Sequence, residues 1–171
     1  TVFLKNRGMR IGFGGIGKGY AAEMAKQKMK QSGIENGVVN AAGDLTAWGT
    51  QVDGRHWTIG IADPNHKLSL FSQFEIVEKS VATSGDYEKF VIIDGKRFSH
   101  TIDPVTGMPA QGIKSVTIIC GNAELADALT TPIIVMGKEA GLHMINQLRG
   151  VEVIIIDEND KIYCSNNIKI N

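Results

Sequence analysis

The sequence predicts an α+β fold, a mostly antiparallel sheet with helices packed on it. Strand-length apolar runs separated by Gly, Asp or Pro turns outnumber the helical stretches, and consecutive runs are joined as hairpins more often than by β-α-β crossovers. The 171 residues, 43% hydrophobic and 21% charged, suit one domain with a core that needs no disulfide or metal staple. No internal repeat, low-complexity tract or linker divides the chain, so residues 1–171 read as a single domain.

The elements follow in order. Residues 9–13 read as a short strand. From about Lys18, the spacing of Tyr20, Met24, Ala25 and Met29 gives one apolar helical face opposite Lys26, Lys28 and Lys30, with Gly33 as its C-cap. Strands are expected at 37–40, 45–48, 57–61 and 68–77. The strongest hairpin signal is Asp94-Gly95 between strands 90–93 and 97–99, because this pair readily takes the positive φ angles of a type I′ turn. A strand at 113–120 leads into helices at about 123–136 and 138–148. Strands 151–156 and 162–164 close the chain around a polar turn at 157–160.

Charge removes several functions. Eighteen basic and eighteen acidic residues cancel, so no global field holds nucleic acid or an anionic membrane, and a partner must be recognised locally. The longest strongly apolar run, 151–156, falls far short of the roughly 20 residues a bilayer span requires. The opening TVFLKN reads as a strand-like start with no signal peptide and no initiator Met, as expected of a processed, truncated or excised segment. Cys120 and Cys164 lack the spacing of a zinc site, and nothing in their spacing supports a disulfide.

Glycine, 20 of 171, is the informative excess. In IGFGGIGKGY, Gly12, Gly14 and Gly17 make a G-x-G-x-x-G pattern before a helix, which is where a dinucleotide fingerprint belongs. Gly12, four residues, Gly17 and Lys18 also nearly make a phosphate loop, except that Gly19 stands where Ser or Thr would bind magnesium. The run VEVIIIDE imitates the strand with an acidic end that phosphate-loop enzymes use, but Asp157 is followed by a tight turn and a returning strand, not a crossover helix. A more general reading survives both objections: a glycine turn at a helix N-terminus, with the charge of Lys18, suits a phosphate or diphosphate. The alternative is that these glycines only let a strand cross close to a helix.

Further on, Thr83, Ser84 and Gly85 read as a hydroxyl-bearing turn, able to donate to an oxyanion or serving as ordinary turn chemistry. His100 sits at a strand end before the turn Asp103-Pro104-Val105-Thr106-Gly107, whose Asp can cap its own backbone. Asp127 and Thr131 are i and i+4 on one helix and share a face. A carboxylate and a hydroxyl are hard oxygen donors of the kind magnesium takes; the alternative is helix-end electrostatics and methyl packing. Pro132 leaves the Ala128 carbonyl without its helical donor. His56, His66 and His143 have no partners at ligand spacing and read as surface or packing residues.

Six ordered blocks carry a resemblance: GGIGKGYAAE (14–23), VVNAAGDLTAWG (38–49), WTIGIADP (57–64), VATSGDYEKF (81–90), HTIDPVTGMP (100–109) and ADALTTPIIVMG (126–137). Together they resemble the ApbE-type FAD:protein FMN transferase family. The match spans this chain and the C-terminal half or more of a typical member, whose N-terminal part carries a lipoprotein signal and part of the flavin pocket. The resemblance implies a T-fold-like core and an enzyme that uses Mg2+ and FAD as substrate. Such an enzyme cleaves the diphosphate, releases AMP and attaches FMN by a phosphoester to a Thr or Ser of an acceptor protein. By position, it implies metal binding by Asp127, Thr131 and the Gly15 carbonyl. It further implies FAD contacts from Lys18, Thr101 and Ile102, with Ser84 and Gly85 lining the site. His100 becomes the candidate for proton removal from the acceptor hydroxyl, and Asp103 orients its loop. Gly12 stands where many relatives have an acidic flavin contact, and Gly17 where Ala is common, so altered FAD affinity is expected more than lost chemistry. Family habit implies the bacterial periplasm or the outer face of the inner membrane, with any lipid anchor upstream. FAD hydrolysis to FMN and AMP, or flavin binding without catalysis, are the alternatives.

Overall fold

The structure, a computed structural model, describes residues 1–62, 70–85 and 90–168. The expected start of a strand at residue 68, His66, the 63–64 end of WTIGIADP and residues 86–89 of VATSGDYEKF lie outside the described residues.

Helix α1 (Gly17–Gln31) is followed by strands β1 (Gly37–Ala41), β2 (Asp44–Trp48), β3 (Trp57–Ala62), β4 (Leu70–Ile76), β5 (Ser80–Gly85), β6 (Phe90–Ile93), β7 (Lys96–Ser99) and β8 (Ile113–Cys120). Helices α2 (Ala123–Met136) and α3 (Lys138–Ile145) then lead to β9 (Glu152–Asp157) and β10 (Ile162–Cys164). Six strands form one sheet in the order β1-β2-β5-β8-β9-β10, with every neighbouring pair antiparallel. Two separate hairpins, β3-β4 and β6-β7, branch from it. The expected antiparallel α+β class is what the chain adopts.

The two-residue period of the strands divides the core. Ala82, Val116, Ile118, Val153 and Ile155 turn to one face, where Ala126, Ile133 and Ile145 of the helices cover them. Val81, Ile119 and Ile154, one residue out of phase, turn to the other face and meet Ile59 and Ile76 of the β3-β4 hairpin. Both faces of the central strands are thus buried, which is why β9 is apolar along most of its length.

Local signals account for the ends of the elements. At the end of α1, Gly33 has φ +86°, its N–H donates to the Lys30 carbonyl, and the Ile34 N–H donates to the Met29 carbonyl. This is the Schellman closure that a glycine just past a helix permits. Asp94 and Gly95 have φ +51° and +76°, the expected type I′ turn. Asn122 caps α2 by accepting the Leu125 N–H at 2.8 Å, and the helix runs through Pro132 to Met136.

Three expectations are corrected. Residues 9–13 form no strand: no neighbour offers a ladder, and Met9, Ile11 and Phe13 are all half or more exposed. Helix α1 turns inward Gly19, Ala22, Glu23 and Lys26, leaving Tyr20 and Met29 exposed. The buried charges satisfy each other: Lys26 Nζ lies 3.1 Å from Glu23 and donates to Thr46 Oγ1 at 3.2 Å, and Glu23 accepts the Ala123 N–H at 3.0 Å. Finally, 83–85 is the end of β5 and not a turn, because Thr83, Ser84 and Gly85 pair in register with Thr117, Val116 and Ser115. Among the described residues no helix is long and apolar enough to cross a membrane.

Candidate active site

The site begins where α1 crosses α2. A side chain at Gly19 would place its Cβ 2.6 Å from the Asp127 Cβ and against the Ala123 carbonyl, so only glycine lets the helices approach this closely. The close approach brings the Gly19 N–H within 3.0 Å of Asp127 Oδ2. Two of the N–H groups expected to face a phosphate have other partners. The Gly17 N–H goes to the Phe13 carbonyl at 2.7 Å, and the Gly19 N–H is spent on a carboxylate from another helix. What the glycine turn does present is Gly15, whose Cα faces Thr131, with Thr131 Oγ1 3.5 Å from where a Cβ would lie. One helical turn separates Thr131 from Asp127, so α2 lines up the hydroxyl and the carboxylate as their spacing predicts.

A second carboxylate, absent from the sequence-based site, joins them. The β1-β2 turn is Ala42-Gly43, with φ +52° and +103°, and Asn40 Oδ1 accepts the Gly43 N–H at 2.8 Å. This tight turn delivers Asp44, the first residue of β2, into the interior at 1% exposure. Its Oδ1 meets Lys18 Nζ at 3.2 Å, while Oδ2 is buried without a hydrogen-bond partner. Burial, reinforced by the neighbouring negative charge of Asp127, raises the Asp44 pKa to about 6 against the opposing pull of Lys18. No signal in the sequence marked Asp44, since an Asp after a glycine turn has an ordinary local explanation.

Above these groups opens a cleft of about 620 Å³ lined by Gly14, Gly15, Lys18, Ala42, Ser84, His100, Thr101, Ile102 and Thr131. Ser84 and Thr130 share a hydrogen bond of 2.8 Å, and Thr130 donates to the Asp127 carbonyl at 2.8 Å. Thr130 has one hydroxyl proton, so Ser84 is the donor to it, and Ser84 ties the cleft wall to the Asp127 turn of α2. On the facing side, the loop after β7 is held by the Ala110 N–H donating to the Thr101 carbonyl at 2.9 Å and by the Ile102–Pro109 bridge. Asp103 closes the loop by accepting from the Val105 N–H at 2.8 Å and the Thr106 hydroxyl at 3.0 Å. The Val105 bond in particular, with help from Thr106, holds its carboxyl below the usual carboxylate range.

Of the ten residues expected at the site, seven line this one cleft: Gly15, Lys18, Ser84, His100, Thr101, Ile102 and Thr131. Asp127 contacts the site from beneath through Thr130 and Gly19. Gly85 is buried opposite Ser115 and does not line it, and Asp103 acts one step back, in the loop that carries Ile102. Asp44, Ala42 and Thr130 are the additions the fold makes. The donor types suit a hard divalent cation: the Asp127 carboxylate and the Thr131 hydroxyl one helical turn apart, with Gly15 packed beside Thr131 and a buried oxygen of the neighbouring Asp44 unsatisfied. Among the described residues no group of three His, Cys, Asp or Glu converges to hold a metal ion.

This arrangement, a lysine and mixed oxygen donors beneath a cleft walled by a histidine loop, has recognisable relatives. The profile of the ApbE family matches residues 2–155. An FAD:protein FMN transferase of Klebsiella pneumoniae is 32% identical over 167 residues, covering 96% of this chain and 51% of that protein. One from Vibrio cholerae is 35% identical, covering 90% and 47%. Among solved structures, the ApbE protein of Thermotoga maritima superposes with a TM-score of 0.85 at 37% identity, covering 94% of this chain and 52% of its own. The apo flavinyl transferase ApbE of Pseudomonas stutzeri gives 0.76 at 31%. The chain belongs to the ApbE family, and it spans about half the length of the relatives it matches.

Proposed function

We propose that this chain carries the diphosphate-cleaving centre of an FAD:protein FMN transferase. The observation that carries the reading is the convergence of Lys18, Ser84, His100 and Thr131 on one cleft, with Asp44 paired to Lys18 and Asp127 tied to Ser84 through Thr130. Lys18 and the backbone of residues 101–102 hold FAD by its diphosphate, and Asp103 keeps that loop rigid. His100 takes the proton of an acceptor Thr or Ser hydroxyl. The freed oxygen forms a bond to the FMN phosphorus, and the bond from that phosphorus to the bridging oxygen breaks, so AMP leaves with the bridging oxygen and its electron pair.

Mg2+ is the cation proposed for Asp127, Thr131 and the Gly15 carbonyl. Bound there, it would neutralise charge that develops on the diphosphate oxygens. Lys18, paired with Asp44, is the basic side chain that lines the cleft. The bacterial periplasm or outer face of the inner membrane is the proposed location, by family resemblance alone.

The test is incubation of the chain, alone and with its native upstream sequence, with FAD and either magnesium or EDTA, followed by chromatography of AMP and FMN. The reading expects magnesium-dependent AMP release, and FMN bound to protein when an acceptor peptide is added. AMP with free FMN alone would make hydrolysis the activity. FAD retained without any AMP from either version would leave a binding module.

A further inference from the structure

The expected cation donors leave one neighbouring group without a role. Asp44 is 1% exposed, its Oδ1 is matched to Lys18 at 3.2 Å, and its Oδ2 has no partner. A buried carboxylate oxygen normally has at least one hydrogen-bond donor, and one left bare costs the desolvation of a charged acceptor. The backbone adds to that cost. Ala42, two residues earlier, is held at φ +52°, a region a residue with a Cβ enters only under constraint, and the tight turn it makes is what sets Asp44 at the start of β2. Across the gap stands Asp127, a second carboxylate of the same sign, with its Oδ2 fixed by the Gly19 N–H. One ammonium for two buried carboxylates is an electrostatic deficit of one positive charge. One proton shared by the two carboxylates would cancel it; a divalent cation cancels it while leaving both carboxylates ionised and Lys18 free to move away.

We propose that Asp44 is itself a donor to the divalent cation, sharing it with Asp127, and that Lys18 occupies Asp44 only in part and yields when the cation is present. The inference rests on the reading of Asp127 and Thr131 as cation donors and adds a residue to that set. It gives Lys18 a second position: released from Asp44, its ammonium is free for the ligand in the cleft. Asp44 thereby couples the arrival of the cation to the charge presented to an anionic ligand.

The test measures Mn2+ binding to the 171-residue chain by electron paramagnetic resonance, without FAD, for the parent and for Asp44→Asn, Asp127→Asn and Lys18→Met, each checked for folding by circular dichroism. The proposal expects Asp44→Asn to weaken Mn2+ binding by about tenfold or more, as loss of a donor does. Lys18→Met is expected to tighten it, because the ammonium and the cation compete for Asp44. Binding within about twofold of the parent in Asp44→Asn, with loss in Asp127→Asn, would overturn the role of Asp44 and leave the Asp127 site standing. Unchanged binding in both Asp variants would overturn the cation reading itself. Should Asp44→Asn fail to fold, Lys18→Met decides: tighter binding supports the shared site, and equal or weaker binding overturns it.

Discussion

Two carboxylates in this molecule begin from nearly the same circumstances and end in opposite states. Asp44 and Asp157 are each almost wholly buried, at 1% and 4% side-chain exposure, and each pairs with a lysine, at 3.2 and 3.1 Å. Asp157 accepts from the Lys138 ammonium, the Tyr163 hydroxyl and the N–H groups of Asn159 and Lys161. Burial pushes its pKa up, but these donors outweigh burial and bring it to about 2. Asp44 has the lysine alone, a bare oxygen and a carboxylate for a neighbour, and its pKa rises to about 6. The difference teaches that a lysine partner alone does not settle a buried carboxylate: at Asp44 burial and the Asp127 charge outweigh Lys18, and at Asp157 four donors outweigh burial.

Substitutions can break this contrast, and the largest effect belongs to the unsaturated side. Asp127→Ala should lower magnesium-dependent AMP release by on the order of 10²-fold or more, because it removes a charged donor beneath the cleft. Steady-state turnover measured across magnesium concentrations checks it, and unaltered turnover would refute the metal assignment. Next is Gly19→Ala, which forces a Cβ between α1 and α2 where the Asp127 Cβ stands 2.6 Å away. A loss of about 2–4 kcal/mol in urea unfolding is expected, the scale of severe overpacking.

On the saturated side, Asp157→Asn should lower the melting temperature while leaving cation binding at the cleft unchanged. Its pH signature has a definite sign. The folded pKa lies below the ordinary 3.8, so the contribution of Asp157 is fully present above that value and is lost as pH falls toward about 2. For Asp44 the folded pKa lies above the ordinary 3.8, so the metal-free fold binds that proton more tightly than the unfolded chain does. Stability from this source is present at low pH and is lost as pH rises through about 6. Urea midpoints across pH should therefore show a decline between these two values that disappears in Asp44→Asn. The smallest effect sharpens the comparison at its origin. Ala42→Gly relieves the φ of +52° in the turn before Asp44 and should stabilise the chain by about 1 kcal/mol or less, read as a small rise in the same midpoints.

Much of this was legible in the sequence where local chemistry decides the outcome. The Asp94-Gly95 turn, the Gly33 cap and the i, i+4 pair on α2 each depend on a few adjacent residues. Expectations failed where a distant partner decides. Residues 9–13 have strand-like composition but no strand to pair with, and α1 buries an ion pair whose fit depends on β2 and the start of α2. An apolar periodicity cannot reveal a helix face made of Glu23 and Lys26. Asp44 was hidden for the same reason: what distinguishes it is a carboxylate brought alongside by a helix far along the chain, and no short window holds both.

Gly19 also bears on which neighbouring sequences this fold can reach. The string from Gly12 to Gly19 lies one substitution from a complete phosphate-loop motif, with Ser or Thr wanted at the final position. In this molecule that single step leads straight into the Ala123 carbonyl and the Asp127 side chain. A mutational walk toward the nucleotide-hydrolase motif is therefore closed at its last move, unless two helices first separate and give up the bond that fixes Asp127. Two letter strings that differ at one place can thus be far apart as folds.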